Sequence, residues 1–163
     1  MADVQPAFAA EKQPNSRMCF VCGLENESGL QVKFYTEAPG KVRVDWTAPK
    51  RYQGYPGHLH GGIAAALLDE TAGRTVLGGD SLRFFVTLKM ELRYRKPVPI
   101  GVPLIIRGEI VRDRGRIVET RGALYLPDGS VAVEAEVLVA EAPAEITRGA
   151  DLDQLGWRVY PDE

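Results

Sequence analysis

The segment H-G-G-I-A-A-A-L-L-D-E, residues 60–70, restricts what this chain can fold into more than any other. Residues 63–68 are apolar without exception, and a helix that is apolar on every side must be wrapped rather than laid on a solvated surface. The spacing predicts one helix from Gly61 to about Leu77, ended by Gly78-Gly79. The wrapping has to come from strands, because the rest of the chain reads with a period of two.

Residues 31–35 and 41–46 read as short strands around Pro39-Gly40. In residues 86–94, Val86, Leu88, Met90, Leu92 and Tyr94 alternate with Thr87, Lys89, Glu91 and Arg93, which describes a half-buried strand. Residues 104–112 and 117–126 follow, joined by Asp113-Arg114-Gly115, and Pro127-Asp128-Gly129 leads into residues 131–140. Turns this short make the last three strands antiparallel neighbours, since a parallel crossover needs many more residues. The expected fold is α+β, a curved antiparallel sheet around one central helix. Residues 1–17, polar and proline-containing, read as a flexible lead-in to a single domain over 18–163, and the tail from 141 as a short helical or irregular cap.

A net charge of −2 argues against nucleic acid or an anionic membrane as the main partner. No apolar run reaches the length of a membrane span and residues 1–16 lack a signal peptide's apolar centre, so the expectation is a cytoplasmic protein. Cys19 and Cys22 form a C-x-x-C that suits half a zinc site, a redox pair or neither. With no second pair and no adjacent histidine, the favoured reading is two small apolar residues packing the N-terminal segment, with neither metal nor cofactor.

Helical spacing separates the two acids that close the motif. Glu70 has Arg74 four residues on, the spacing of an ion pair on an exposed helix face. Asp69 shares its face with Gly62, Ala65, Ala66, Ala72 and Gly73, all small enough to admit another backbone or a substrate beside the carboxylate. Such an acid either hydrogen-bonds a facing chain or does chemistry. At the other end, Gly61-Gly62 opens the helix, where unpaired N–H groups and a partial positive charge could seat an oxyanion. Gly62 and Asp69 are seven residues apart, about 10 Å along a helix rising ~1.5 Å per residue, so one carbonyl cannot touch both. If both act on one substrate atom, they come from different chains of a symmetric dimer.

On these residues the chain resembles the hotdog-fold acyl-CoA thioesterases of the phenylacetic-acid-degradation type. The resemblance rests on Q-G-Y-P-G-H-L-H-G-G-I-A-A-A-L-L-D-E (residues 53–70), on C-F-V-C-G near the start and on V-T-L-K-M-E-L-R-Y-R-K-P (residues 86–97). It implies a sheet wrapped around a helix, assembly into dimers or tetramers with interface active sites, and hydrolysis of an acyl-CoA to a carboxylic acid and CoA. By that resemblance Asp69 is the catalytic carboxylate, general base or nucleophile, and the Gly62 amide of the partner subunit polarises the thioester carbonyl. His60 matches the motif histidine, Gln53 an upstream polar residue near the thioester, and Thr87 a Ser or Thr beside the carboxylate. Arg93, Arg95, Lys96, Arg114 and Arg116 are candidates for the CoA phosphates by composition alone. A non-catalytic acyl-CoA binder and a hotdog hydratase or dehydratase are the alternatives, because a fold does not fix an activity.

Overall fold

The computed structural model describes residues 10–77 and 83–162. The expected turn at Gly78-Gly79 lies outside them. In chain order the elements are β1 (Glu11–Lys12), β2 (Tyr35–Ala38), β3 (Lys41–Thr47), α1 (Gly61–Thr75), β4 (Phe85–Tyr94), β5 (Pro103–Asp113), β6 (Ile117–Tyr125), β7 (Val131–Glu141), α2 (Ala144–Thr147) and α3 (Leu152–Leu155). The described strands form one antiparallel sheet ordered β1-β2-β3-β5-β6-β7-β4, so the last three sequence strands are neighbours as their short turns require, and β4 is an edge.

Helix α1 lies on one face of this sheet and buries Ala64, Leu67, Leu68, Thr71 and Ala72 against Val44, Ile106, Leu124, Val137 and Val139. Two glycines set how closely it approaches. Gly108 on β5 and Gly122 on β6 are directly opposite in register. A Cβ on Gly108 would sit 2.8 Å from Thr71 Cγ2, and one on Gly122 would sit 3.1 Å from Leu68 Cδ2. The pair forms a shallow trough that receives the helix.

Three expectations change. The strand read at residues 31–35 is displaced to Tyr35–Ala38, because Gln31 adopts a left-handed backbone (φ 53°) that breaks a ladder. Leu30, Val32 and Phe34 are buried, as their alternation suggested, but the N-terminal segment serves their backbone: Gln13 N–H donates to Phe34 O and Asn15 Nδ2 to Val32 O. Residues 10–17, read as a loose lead-in, are therefore part of the packed structure, with Gln13 and Asn15 buried. Polar composition misled here because these side chains satisfy backbone groups instead of water. Finally, α1 is wrapped on one side only: Ile63, Ala65, Ala66, Asp69, Glu70 and Gly73 are half-buried and Gly62 is exposed, a stripe beside edge strand β4.

Candidate active site

Asp69 lies two turns along α1, half-buried, and accepts a 2.6 Å hydrogen bond from Thr87 Oγ1 on its Oδ1. Its Oδ2 has no hydrogen-bond partner among the described residues. Thr87 reaches the helix through an irregularity that simple alternation hides. The β4–β7 register runs Thr87↔Val139 and then Lys89↔Leu138, so Leu88 is a bulge. One extra residue reverses the parity, which puts Thr87 on the same face as Met90 and Leu92 and turns Leu88 outward. A bulge beside the carboxylate thus aims the hydroxyl at it.

The cleft around this pair has a volume of about 680 Å³ and an apolar floor that includes Phe84, Phe85, Leu77 and Trp157. Phe84 packs on Trp157 with ring centroids 5.6 Å apart. Glu70 also lines the cleft, but its partner is not a solvated surface charge. Arg74 is 3% exposed, donates Nε to Glu70 Oε1 at 3.0 Å and sits over the rings of Phe34 and Trp157. The Glu70–Arg74 pair fastens the N-terminal segment to the helix, since Arg74 Nη1 also donates to Pro14 O. Cys19 and Cys22 complete that wall. The Cys22 thiol hydrogen-bonds the Cys19 sulfur, joined by the backbone amides of Cys22 and Val21, and holds the Cys19 pKa down to about 6. Cys22 is displaced upward, first by that same bond and then by burial.

His60, Gly61 and Gln53 belong to a second cleft, about 880 Å³, lined also by Tyr55, His58, Tyr94, Arg95 and Lys96. The chain enters α1 through a tight loop in which His60 N–H donates to Tyr52 O and Gly57 N–H to Gln53 Oε1. His60 is the N-cap: its Nδ1 accepts the Gly62 N–H at 3.0 Å. An Nδ1 that accepts is unprotonated, so in the neutral ring Nε2 carries the hydrogen. The cap also changes which amide is open. Gly62 N–H is engaged, whereas Gly61 N–H has no acceptor among the described residues, and Tyr94 Oη fixes the same peptide by donating to Gly61 O at 2.8 Å. The sequence held the signal for this, because an N-cap side chain accepts from the second or third helical residue and leaves the first one free.

Within one protomer, then, Asp69 and Thr87 share one cleft at the middle of α1, and His60, Gly61 and Gln53 line another at its N-terminus, with Gly62 exposed beside it. His58 is exposed and bonded to Pro56 O. Arg95 pairs with Glu134 at 2.7 Å, whereas Lys96 makes no close ion pair among the described residues and acts on Asp128 only through its charge. Arg114 and Arg116 line neither cleft and pair with Glu119 and Glu141.

Residues 56–133 match the model of the thioesterase superfamily. The chain is 27% identical over 114 residues to rat acyl-coenzyme A thioesterase THEM4, covering 69% of this chain and 48% of that protein. It spans about half the length of that curated relative. A crystal structure of a thioesterase superfamily protein superposes with TM-score 0.70 at 34% identity, covering 77% of this chain and 61% of that one. A hypothetical thioesterase protein from Streptococcus pneumoniae, solved with coenzyme A, superposes with TM-score 0.62 at 21% identity over 68% and 88% of the two chains, a likeness of fold. No described helix is long and apolar enough to cross a membrane.

Proposed function

We propose that this chain, of which residues 56–133 match the thioesterase superfamily model, hydrolyses acyl-CoA thioesters, with each active site assembled from two copies of the chain. The observation that carries the reading is the Asp69–Thr87 pair facing an apolar cleft, with one carboxylate oxygen unengaged among the described residues.

A thioester carbonyl carbon needs a nucleophile on one side and stabilisation of the developing oxyanion on the other. Asp69 serves the first role, either deprotonating a water or attacking directly, while the Thr87 hydroxyl fixes the orientation of the carboxylate. The second role falls to the N-terminus of α1 from the partner subunit. The family resemblance assigns it to the Gly62 amide, but with Gly62 N–H capped by His60, the Gly61 N–H is the donor at hand. The His60 Nε2–H and the Gln53 amide are further donors at that end.

Symmetry supports the pairing. In an isologous contact between two antiparallel helices, residue i meets j wherever i and j are equally far from the two-fold axis. Residues 61 and 69 meet when the axis passes Ala65, and residues 62 and 69 when it passes between Ala65 and Ala66. These alanines are half-exposed in the single chain and allow close helix approach. The unpaired outer edge of β4, ten residues long, lies beside the same stripe, and a second β4 can extend the sheet there. Lys96 lines the helix N-terminal cleft, which supports giving it the role of meeting a CoA phosphate.

The test is thiol release from a panel of short, long and aromatic acyl-CoAs. Wild type turns over at least one of them, and Asp69→Asn lowers kcat by roughly 100-fold or more. Binding without turnover on the whole panel refutes hydrolysis, and water addition to an enoyl-CoA without thiol release replaces it with hydratase chemistry.

A further inference from the structure

Cys19, Cys22 and Glu70 converge on the wall of the Asp69 cleft, and the proposed hydrolysis uses none of them. Their two sulfurs and a carboxylate oxygen all lie within 4.8 Å of one another. We infer that these three residues bind a zinc ion that ties the turn carrying the cysteines to helix α1, with the fourth coordination position facing the cleft.

The distances suit the ion. A tetrahedral zinc with Zn–S of about 2.3 Å and Zn–O of about 2.1 Å holds its ligand atoms about 3.6–3.8 Å apart. The three side chains need to close by no more than about 1 Å, within the reach of χ rotations of Glu70 and the half-buried Cys19. Two thiolates and a carboxylate also select zinc over the hard cations magnesium and calcium, which prefer oxygen sets.

The turn around the sulfurs is built for negative charge. Gly23 N–H donates to Cys19 O at 2.8 Å, and a Cβ on Gly23 would collide with the Cys19 backbone, so only glycine closes this turn. The amides of Val21 and Cys22 point at the Cys19 sulfur, and Ser16 Oγ lies 3.4 Å from the Cys22 sulfur. These are the contacts that hold a metal-bound thiolate in place.

Glu70 is oriented in the same way. Arg74 Nε occupies Oε1, which leaves Oε2 without a hydrogen bond among the described residues and available to a metal. Charge closes as well: two thiolates, one carboxylate, the buried Arg74 guanidinium and a divalent ion sum to zero. Sequence spacing concealed the third ligand, which comes from a helix almost fifty residues beyond the C-x-x-C.

The experiment uses the full chain, reduced and stripped of metal, titrated with zinc in competition with a chromogenic chelator, and separately with cobalt. One zinc per chain is expected, with a tetrahedral cobalt spectrum and a thiolate-to-metal charge-transfer band. Cys19→Ser is the first variant, because the side chain is half-buried and its change spares the fold. It should remove the competition signal while the circular dichroism stays that of wild type. Glu70→Gln should weaken zinc about tenfold or more while keeping the thiolate band. Absence of saturable zinc binding overturns the inference, as does a reduced pair that only re-forms a Cys19–Cys22 disulfide in air. Unchanged zinc affinity in Cys19→Ser overturns it equally.

Discussion

Replacing Gly108 with alanine tests how the helix is seated. The new Cβ would lie 2.8 Å from Thr71 Cγ2, 3.1 Å from Thr75 Cγ2 and 3.2 Å from Thr71 O, each well inside ordinary van der Waals contact. None of these atoms can swing away: Thr71 and Thr75 are buried, and their hydroxyls are held by Leu67 O and Ala72 O. The helix must rise from the sheet by several tenths of an ångström. Overpacking of this kind costs about 1–3 kcal/mol. For a chain of this length each kcal/mol shifts Tm by about 2–4 °C, so a fall of roughly 2–12 °C is expected at fixed protein concentration. Thr71→Ser removes the closest methyl and keeps the hydroxyl bond, at a cost of about 1 kcal/mol for the lost burial. The double variant should then be no less stable than Gly108→Ala alone, giving a coupling of about 1–2 kcal/mol in a double-mutant cycle. Calorimetric or denaturant-unfolding curves measure all four proteins. A Gly108→Ala chain as stable as wild type, or strict additivity of the two changes, would show that the trough does not set the helix position.

Thr87→Val removes the 2.6 Å bond to Asp69 and keeps the shape of the side chain. A hydrogen bond to a charged group is worth about 1.5–3 kcal/mol, so steady-state kinetics should show kcat lower by about tenfold or more with KM little changed; a rise in KM alone would assign Thr87 to substrate binding. Lys96→Ala should raise KM for acyl-CoA about fivefold, the equivalent of ~1 kcal/mol, and spare a truncated thioester without the nucleotide. Equal effects on both substrates contradict a phosphate contact. Glu70→Gln leaves the buried Arg74 guanidinium short of its carboxylate, and urea unfolding should register a loss of about 1–3 kcal/mol. A silent substitution there would mean that Arg74 is held by Pro14 and the two aromatic rings alone.

Much of this architecture could be read from the chain, and what could not has identifiable causes. Periodicity located all five longer strands and the helix to within a residue or two, because each has one clearly apolar face. It failed at residues 31–35, where burial and alternation are real but a left-handed Gln31 denies the ladder. Asp69 stands out through the small residues beside it, yet its partner Thr87 falls on the polar parity of its strand because simple alternation takes no account of the bulge at Leu88. Parity counting assumes an uninterrupted pleat. Glu70 and Arg74 look in sequence like any exposed i,i+4 pair. Their burial depends on the N-terminal segment folding back over them, a long-range contact that local spacing does not encode.

The central claim concerns two chains at one site, and complementation addresses it directly. Gly61→Pro deletes the open amide at a position where proline suits the helix start, His60 already has the extended backbone (φ −62°, ψ 133°) that precedes a proline, and the Tyr94 ring, 3.3 Å from the added Cβ, has to give by a few tenths of an ångström. Chains carrying Asp69→Asn and chains carrying Gly61→Pro, separately tagged and co-expressed, are purified as the mixed dimer. Each homodimer should be nearly inactive, and the mixed dimer should regain about half of wild-type turnover, because one of its two sites keeps both intact groups. A mixed dimer no more active than its parents would place the carboxylate and the helix terminus in the same chain's site and contradict the account.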